Sequence, residues 1–69
     1  MSADTVIANG QPVPLAVPTT LEAFLLAVGF RPRSVVVEHN GDAVAPSEFS
    51  QRTVQPGDRL EIVRVVAGG

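Results

Sequence analysis

The chain has 69 residues, a formal net charge of −2 and a hydrophobic content of 45%, which fits one folded domain and argues against intrinsic disorder. It contains no cysteine, so a disulfide framework, a thiolate metal site and a cysteine nucleophile are excluded, and the single His39 cannot form a metal site alone. All five basic residues are arginines, two beside Pro32 and three dispersed, so they form no basic stripe, and no apolar run approaches about 20 residues; we therefore expect neither nucleic-acid nor membrane binding.

The N-terminal part of the chain predicts a β-hairpin. "MSADTVIANG" has neither the basic region nor the apolar stretch of a secretory signal, and a small stable domain without disulfides fits the cytoplasm. Thr5 to Ala8 form a short β-rich run, and the Asn9-Gly10 dipeptide that follows is typical of a hairpin turn. Prolines flank Val13 in the next run; because proline cannot donate to a β-ladder, this second strand is expected at a sheet edge.

The segment "PTTLEAFLLAVG" predicts the only helix. Thr19 and Glu22 have the spacing of a capping box, in which the Thr19 hydroxyl accepts from the Glu22 amide. Gly29 suits the left-handed position after the helix, and Pro32 prevents its continuation. Four residues follow the spacing of one buried helix face: Leu21, Phe24, Leu25 and Val28.

"SVVVEHNGDAVAP" predicts a second hairpin with an Asn-Gly turn. Alternation places Val35, Val37 and His39 on one face of its first strand, and Val36 and Glu38 on the other. Adjacent Glu38 and His39 therefore point to opposite faces, so His39 is interpreted as a strand-end residue near the turn and not as a general base.

The rest of the chain predicts a loop and a long last strand. Residues 46–49 are expected to form one helical turn, with Phe49 covering the open end of the core, and residues 55–58 form a turn before a strand over residues 59–66. One helix packed across one mixed sheet of four to five strands, with the last strand beside the first in the middle, is an α+β fold of the β-grasp type. We expect the domain over residues 1–66 and a flexible tail over residues 67–69.

The last strand has two different faces. Leu60 and Ile62 are expected to face the helix, because the opposite orientation would bury Glu61 without a partner. Arg64 shares their parity, near the strand end, where its side chain can extend past the core. The open face then carries an apolar cluster that we interpret as a protein docking surface, although β-branched residues also favour strands without any docking role. Its residues are Val63, Val65, Val36 and Glu61, with Glu61, Glu38 and Asp42 as an acidic rim.

The sequence ends in Ala67-Gly68-Gly69. Two terminal glycines arise by chance in about one chain in 200. Because glycine lacks a Cβ, such a tail can pass through a narrow channel, and the Gly69 carboxylate has no side chain beside it to obstruct attack. The pattern therefore indicates a carboxylate that another enzyme must reach.

Three segments together resemble the ThiS sulfur carrier family of thiamine biosynthesis, within the ubiquitin-like β-grasp superfamily: "VVVEHNGDAVAPSEF", "VQPGDRLEIV" and the terminal "AGG". The similarity extends over essentially the whole chain and includes Asn40, Pro46, Phe49 and the Gly57-Asp58 pair. Phe49 stands where many members of the family have tryptophan, and the tail lacks the basic residues of ubiquitin's tail.

The resemblance implies a carrier that supplies no catalytic residue and binds no cofactor or metal. A ThiF-type adenylating enzyme would bind the open sheet face, receive Ala67, Gly68 and Gly69, and use ATP to adenylate the Gly69 carboxylate. Sulfur from a cysteine desulfurase system would then give a C-terminal thiocarboxylate, and a ThiG-type thiazole synthase would accept that sulfur.

Other interpretations remain open at this point. A carrier of the same chemistry could donate sulfur to molybdopterin or to tRNA, although the spacing of Asn40, Pro46 and Phe49 favours ThiS. A β-grasp interaction domain with an incidental glycine tail would keep its function without Gly68 and Gly69. An enzyme is disfavoured because no catalytic arrangement or phosphate-binding loop is found in the sequence.

Overall fold

The computed structural model describes residues 4–65. Its strands are β1 (Thr5–Ala8), β2 (Gln11–Pro14), β3 (Thr19–Thr20), β4 (Val35–His39), β5 (Asp42–Val44), β6 (Thr53–Val54) and β7 (Arg59–Arg64). The helix α1 spans Leu21–Ala27, and short 3₁₀ turns span Pro32–Ser34 and Pro46–Glu48. No helix in residues 4–65 has the length and apolar character needed to cross a membrane.

The strands form a five-stranded mixed sheet in the order β2-β1-β7-β4-β5. β1 and β7 are parallel, and the remaining neighbours in this sheet are antiparallel. The proline-bearing strand β2 lies at one edge, and the last strand lies beside the first in the middle, as predicted. With α1 packed across one face, this is the ubiquitin-like β-grasp fold expected from the sequence.

Both predicted hairpin turns are present, and each contains two residues with positive φ. Asn9 and Gly10 have φ of 52° and 81°, and Asn40 and Gly41 have φ of 51° and 89°. Two consecutive left-handed residues match the right-handed twist of the flanking strands, which is why Asn-Gly is preferred in two-residue hairpins. The turn chemistry therefore fixes the register of both strand pairs.

The core lies between α1 and one face of the sheet. Its buried apolar residues are Val6, Leu21, Phe24, Leu25, Val35, Val37, Val44, Phe49, Val54, Leu60 and Ile62. Phe49 is 1% exposed, which confirms that it covers the end of the core. Val28, which we expected on the buried helix face, is 36% exposed; α1 ends at Ala27 and Val28 is its C-cap, so the chain turns away before Val28 reaches the core.

The start of α1 lies one residue later than predicted. The N-cap is Thr20, whose hydroxyl accepts a hydrogen bond from the Ala23 amide at 3.1 Å. The expected bond from the Glu22 amide to Thr19 does not form because that amide donates to the Phe49 carbonyl oxygen at 3.0 Å. Thr19 instead belongs to β3, which pairs with β6. The capping box at Thr19 was therefore wrong.

The end of α1 is as predicted. Gly29 has φ of 93°, and its amide donates to the Leu26 carbonyl oxygen at 3.1 Å. The Phe30 amide donates to the Leu25 carbonyl oxygen at 2.8 Å. These two bonds define a Schellman motif, which reverses the chain toward β4.

Candidate functional site

The open face is the side of the sheet that α1 does not cover. Residue alternation in β7 leaves Leu60 and Ile62 buried in the core and exposes Glu61 and Val63 on this face. Val36, in the neighbouring strand β4, lies directly opposite Val63. These two valines are 54% and 59% exposed, so the predicted apolar cluster is present on the surface.

Two glutamates occupy the centre of this face. Glu38 of β4 pairs directly with Glu61 of β7, and both are exposed. Together with the valines they border a groove of about 380 Å³, which is lined by Val36, Val37, Glu38, Ala43, Glu61 and Val63. The groove thus combines apolar flanks with two carboxylates.

Asp42 is not part of the acidic rim that we expected. The two-residue turn pairs Asp42 with His39, and residues directly opposite each other in a sheet point to the same face. Because His39 is buried on the core side, Asp42 also lies on that side. Its carboxylate is 3.5 Å from Arg52 Nη2, which lies in the loop before β6.

The end of β7 is held to the segment between α1 and β4. The Arg64 guanidinium carbon lies 5.1 Å from the centre of the Phe30 ring, a distance within the range of a cation–π contact. The Val65 amide donates to the Ser34 carbonyl oxygen at 2.8 Å, and Val65 is 50% exposed. The predicted extension of Arg64 past the core is confirmed. Strand β7 ends at Arg64, earlier than the predicted limit at residue 66.

The predicted attachment residue Gly69 and the threading residues Ala67 and Gly68 lie outside the described residues. The same holds for Val66, at the predicted boundary between domain and tail. Val65 is therefore the last described residue before the tail.

A polar cluster that the sequence analysis did not predict joins β4 to the turn before β7. The Arg52 Nε–H donates to His39 Nδ1 at 3.0 Å, so Nδ1 is the acceptor and Nε2 carries the ring proton. That Nε2 lies 2.7 Å from Asp58 Oδ2 and donates to it. His39 is 7% exposed, and both of its ring nitrogens are engaged within the protein.

The Asp58 carboxylate accepts hydrogen bonds from three residues. Burial alone would raise the pKa of its carboxyl, but hydrogen bonds from His39, the Gln55 amide and Asn40 outweigh burial and lower the pKa below the ordinary value of 3.8. The Gln55 amide donates at 2.9 Å and Asn40 Nδ2 at 3.2 Å. This arrangement closes the turn before β7 against the end of β4.

The sequence contained a signal for this cluster. Alternation placed His39 on the same face as Val35 and Val37, which the structure shows to be the buried face, and a buried polar side chain requires hydrogen-bond partners. The partners are 13 and 19 residues away in the chain, so local spacing could not identify them.

Several known proteins are similar to this chain in sequence or in fold. A model of the ThiS family matches residues 6–69. The chain is 36% identical over 61 residues to a thiazole synthase of Magnetococcus marinus, and 38% identical over 63 residues to a thiazole synthase of Paramagnetospirillum magneticum. These matches include 88% and 91% of this chain but span only 19% of each relative.

Two solved structures from Geobacter metallireducens are also similar. The crystal structure of its thiamine biosynthesis protein ThiS superposes with a TM-score of 0.79 at 28% identity, with 94% of this chain and 99% of that chain covered. The solution NMR structure of a thiamine biosynthesis protein from the same organism has a TM-score of 0.74 at 29% identity, covering 94% and 87%.

Proposed function

The chain belongs to the ThiS family, and we propose that it is the sulfur carrier protein for formation of the thiazole ring of thiamine. The observation that carries the proposal is the extent of the family match, which runs from Val6 to Gly69 and so includes both the fold and the diglycine. The similarity to ThiS of Geobacter metallireducens over 94% of the chain supports the same conclusion. In this role the protein is a co-substrate and not an enzyme.

We propose Gly69 as the site of sulfur attachment. An α-carboxyl has a pKa of about 3.3–3.7 and is ionised at neutral pH. On a ThiF-type adenylating enzyme this carboxylate attacks the α-phosphate of ATP and releases pyrophosphate. A persulfide sulfur from a cysteine desulfurase system displaces AMP, and a thiol then cleaves the S–S bond to leave the thiocarboxylate. The carrier itself binds no cofactor. ATP is consumed in the cytoplasm, which is the location we propose.

A thiazole synthase is the proposed acceptor of the sulfur. Two proteins of that name contain a stretch similar to this chain, which makes up 19% of their length. When a carrier-like domain and a synthase share one polypeptide, each is present near the other at a high effective concentration. This supports direct contact between the present chain and a ThiG-type synthase.

The open face is the proposed docking surface for the adenylating enzyme. Its exposed residues Val36, Val63, Val65 and Glu61 lie on or next to β7, the strand that leads to the tail. Contact at this face leaves Ala67, Gly68 and Gly69 to enter the active site of the enzyme. The cation–π and backbone contacts around Arg64 and Val65 support a defined exit point for that tail.

The experiment is an intact mass measurement on the chain incubated with a ThiF-type adenylating enzyme, ATP, a persulfide source and a thiol reductant. The expected product is heavier than the free acid by the difference between one sulfur and one oxygen atom. A variant without Gly69 is the control: it should melt at the same temperature and show no mass change. If the wild-type mass stays that of the free acid, the carrier function is refuted.

A further inference from the structure

The two glutamates at the centre of the open face form an unfavourable pair. Glu38 and Glu61 are direct cross-strand partners, a position in which Cβ atoms lie about 4.5–5.5 Å apart. Like charges in this position destabilise a sheet. The pair therefore does not help to stabilise the sheet.

No basic side chain neutralises this pair within residues 4–65. The ion pairs of that region join Arg52 to Asp42 and Glu48, away from the open face. Arg59 lies on the open face two residues before Glu61. Within residues 4–65, Arg59 forms no ion pair with Glu38 or Glu61. Both carboxylates are therefore available to a cation from outside.

The flanks of the pair are apolar. Val36 and Val63 are direct partners one step along the same two strands, and both are more than half exposed. Ala43 of β5 lies opposite Glu38 on the other side. An occupant of this groove must therefore combine a positive group with an aliphatic stem or aliphatic neighbours.

We propose that the groove receives an arginine side chain of the ThiF-type adenylating enzyme, with its guanidinium between Glu38 and Glu61 and its methylene stem against Val36 and Val63. This inference rests on the proposed function and specifies the chemistry of that docking surface. Arginine fits better than lysine, because its planar guanidinium presents five donors in a fixed fork and can serve two carboxylates at once. Its stem also packs on apolar surface while the charge reaches the carboxylates.

The test compares Glu38→Gln and Glu61→Gln with Glu22→Gln. Each change removes one negative charge and keeps the side-chain shape, and Glu22 lies exposed on α1, across the core from the open face. The dissociation constant of each protein from the purified adenylating enzyme is measured by calorimetry at low and high salt. ATP–pyrophosphate exchange and the melting temperature are measured on the same samples.

We expect each open-face variant to bind roughly tenfold more weakly or worse, with a smaller dependence of affinity on salt than the wild type. Because the like-charge contact is removed, the melting temperature of these variants should be equal to or higher than that of the wild type. Glu22→Gln should bind as the wild type does. Weaker binding combined with undiminished stability supports the proposal.

Three outcomes would overturn it in different ways. If the wild type supports exchange and the open-face variants bind within about twofold of it, the arginine contact is wrong while the carrier function stands. If the variants bind the adenylating enzyme as the wild type does but lose affinity for a purified thiazole synthase in a parallel titration, the occupant has been misassigned. If the wild type neither binds nor supports exchange, the proposed function fails, and this inference fails with it.

Discussion

Replacing Asp58 with alanine should lower the free energy of unfolding by about 2–4 kcal/mol. The carboxylate accepts hydrogen bonds from His39 Nε2, the Gln55 amide and Asn40 Nδ2. The His39 side chain is 8% exposed, so water cannot readily replace the lost acceptor, and a buried donor without a partner costs about 1–3 kcal/mol. Gln55 and Asn40 are exposed, so water can replace much of the hydrogen bonding that these two residues lose.

Asp42→Ala is the matched control for this prediction. The Asp42 side chain is 77% exposed and meets Arg52 at 3.5 Å, the geometry of a surface ion pair contributing about 0–1 kcal/mol. Urea unfolding of both variants gives the comparison, provided that the slope with denaturant is unchanged. For a domain of this size, the melting temperature of Asp58→Ala should fall by roughly 10–30 °C. A loss below about 1 kcal/mol, or an equal loss in both variants, would refute a structural role for the His39–Asp58 contact.

The remaining predictions concern pH, the core and the open face. Because the pKa of Asp58 is lowered in the folded protein, its contribution is complete above the pKa of the unfolded state and is lost as pH falls through the folded-state value. The stability difference between wild type and Asp58→Asn should therefore narrow below about pH 4; a constant difference from pH 7 to pH 2 would contradict this. Leu25→Ala should cost about 2–5 kcal/mol of stability by creating a cavity, whereas Leu26→Ala, at a position 59% exposed, should change it by less than about 0.5 kcal/mol. Val63→Glu should weaken binding to the adenylating enzyme, and Leu26→Glu, at a residue of equal exposure, should not; equal losses of affinity would place docking elsewhere.

The strand arrangement could be predicted because its determinants are local. The Asn-Gly dipeptides fix two hairpins, the prolines around Val13 mark an edge, and alternation in residues 59–64 separates a buried face from an open one. The side of the sheet on which Asp42 lies could also have been deduced. A two-residue turn places the residues on either side of it opposite each other, so Asp42 had to share the face of His39.

Contacts between distant segments were beyond the reach of spacing arguments. The Asn9 side chain is the clearest case: it accepts from the Ile62 amide at 2.7 Å and donates to the Ile62 carbonyl oxygen at 2.9 Å. Asn9 thereby continues the pairing of β1 with β7 after β1 has ended, using its side chain in place of a backbone. The sequence indicated only that Asn9 belongs to a turn.

The helix start was mispredicted for the same kind of reason. Thr19-Thr20 offers two adjacent hydroxyls, and local rules favoured the one with a glutamate three residues later. The Glu22 amide is instead bonded to Phe49, the residue that closes the core from a different segment. Tertiary contacts thus decided which threonine caps the helix.

Under the proposed docking role of the open face, the two faces of β7 allow stability and recognition to be measured separately. Leu60 and Ile62 are 0% and 4% exposed, so substitutions there lower stability and, by depleting the folded state, weaken every partner interaction as well. Glu61 and Val63 contribute little to the core, and Glu61 opposes a like charge. A substitution at Glu61 can therefore raise stability while it lowers affinity. Since general damage to the fold moves both quantities in the same direction, opposite movement identifies a residue used for recognition.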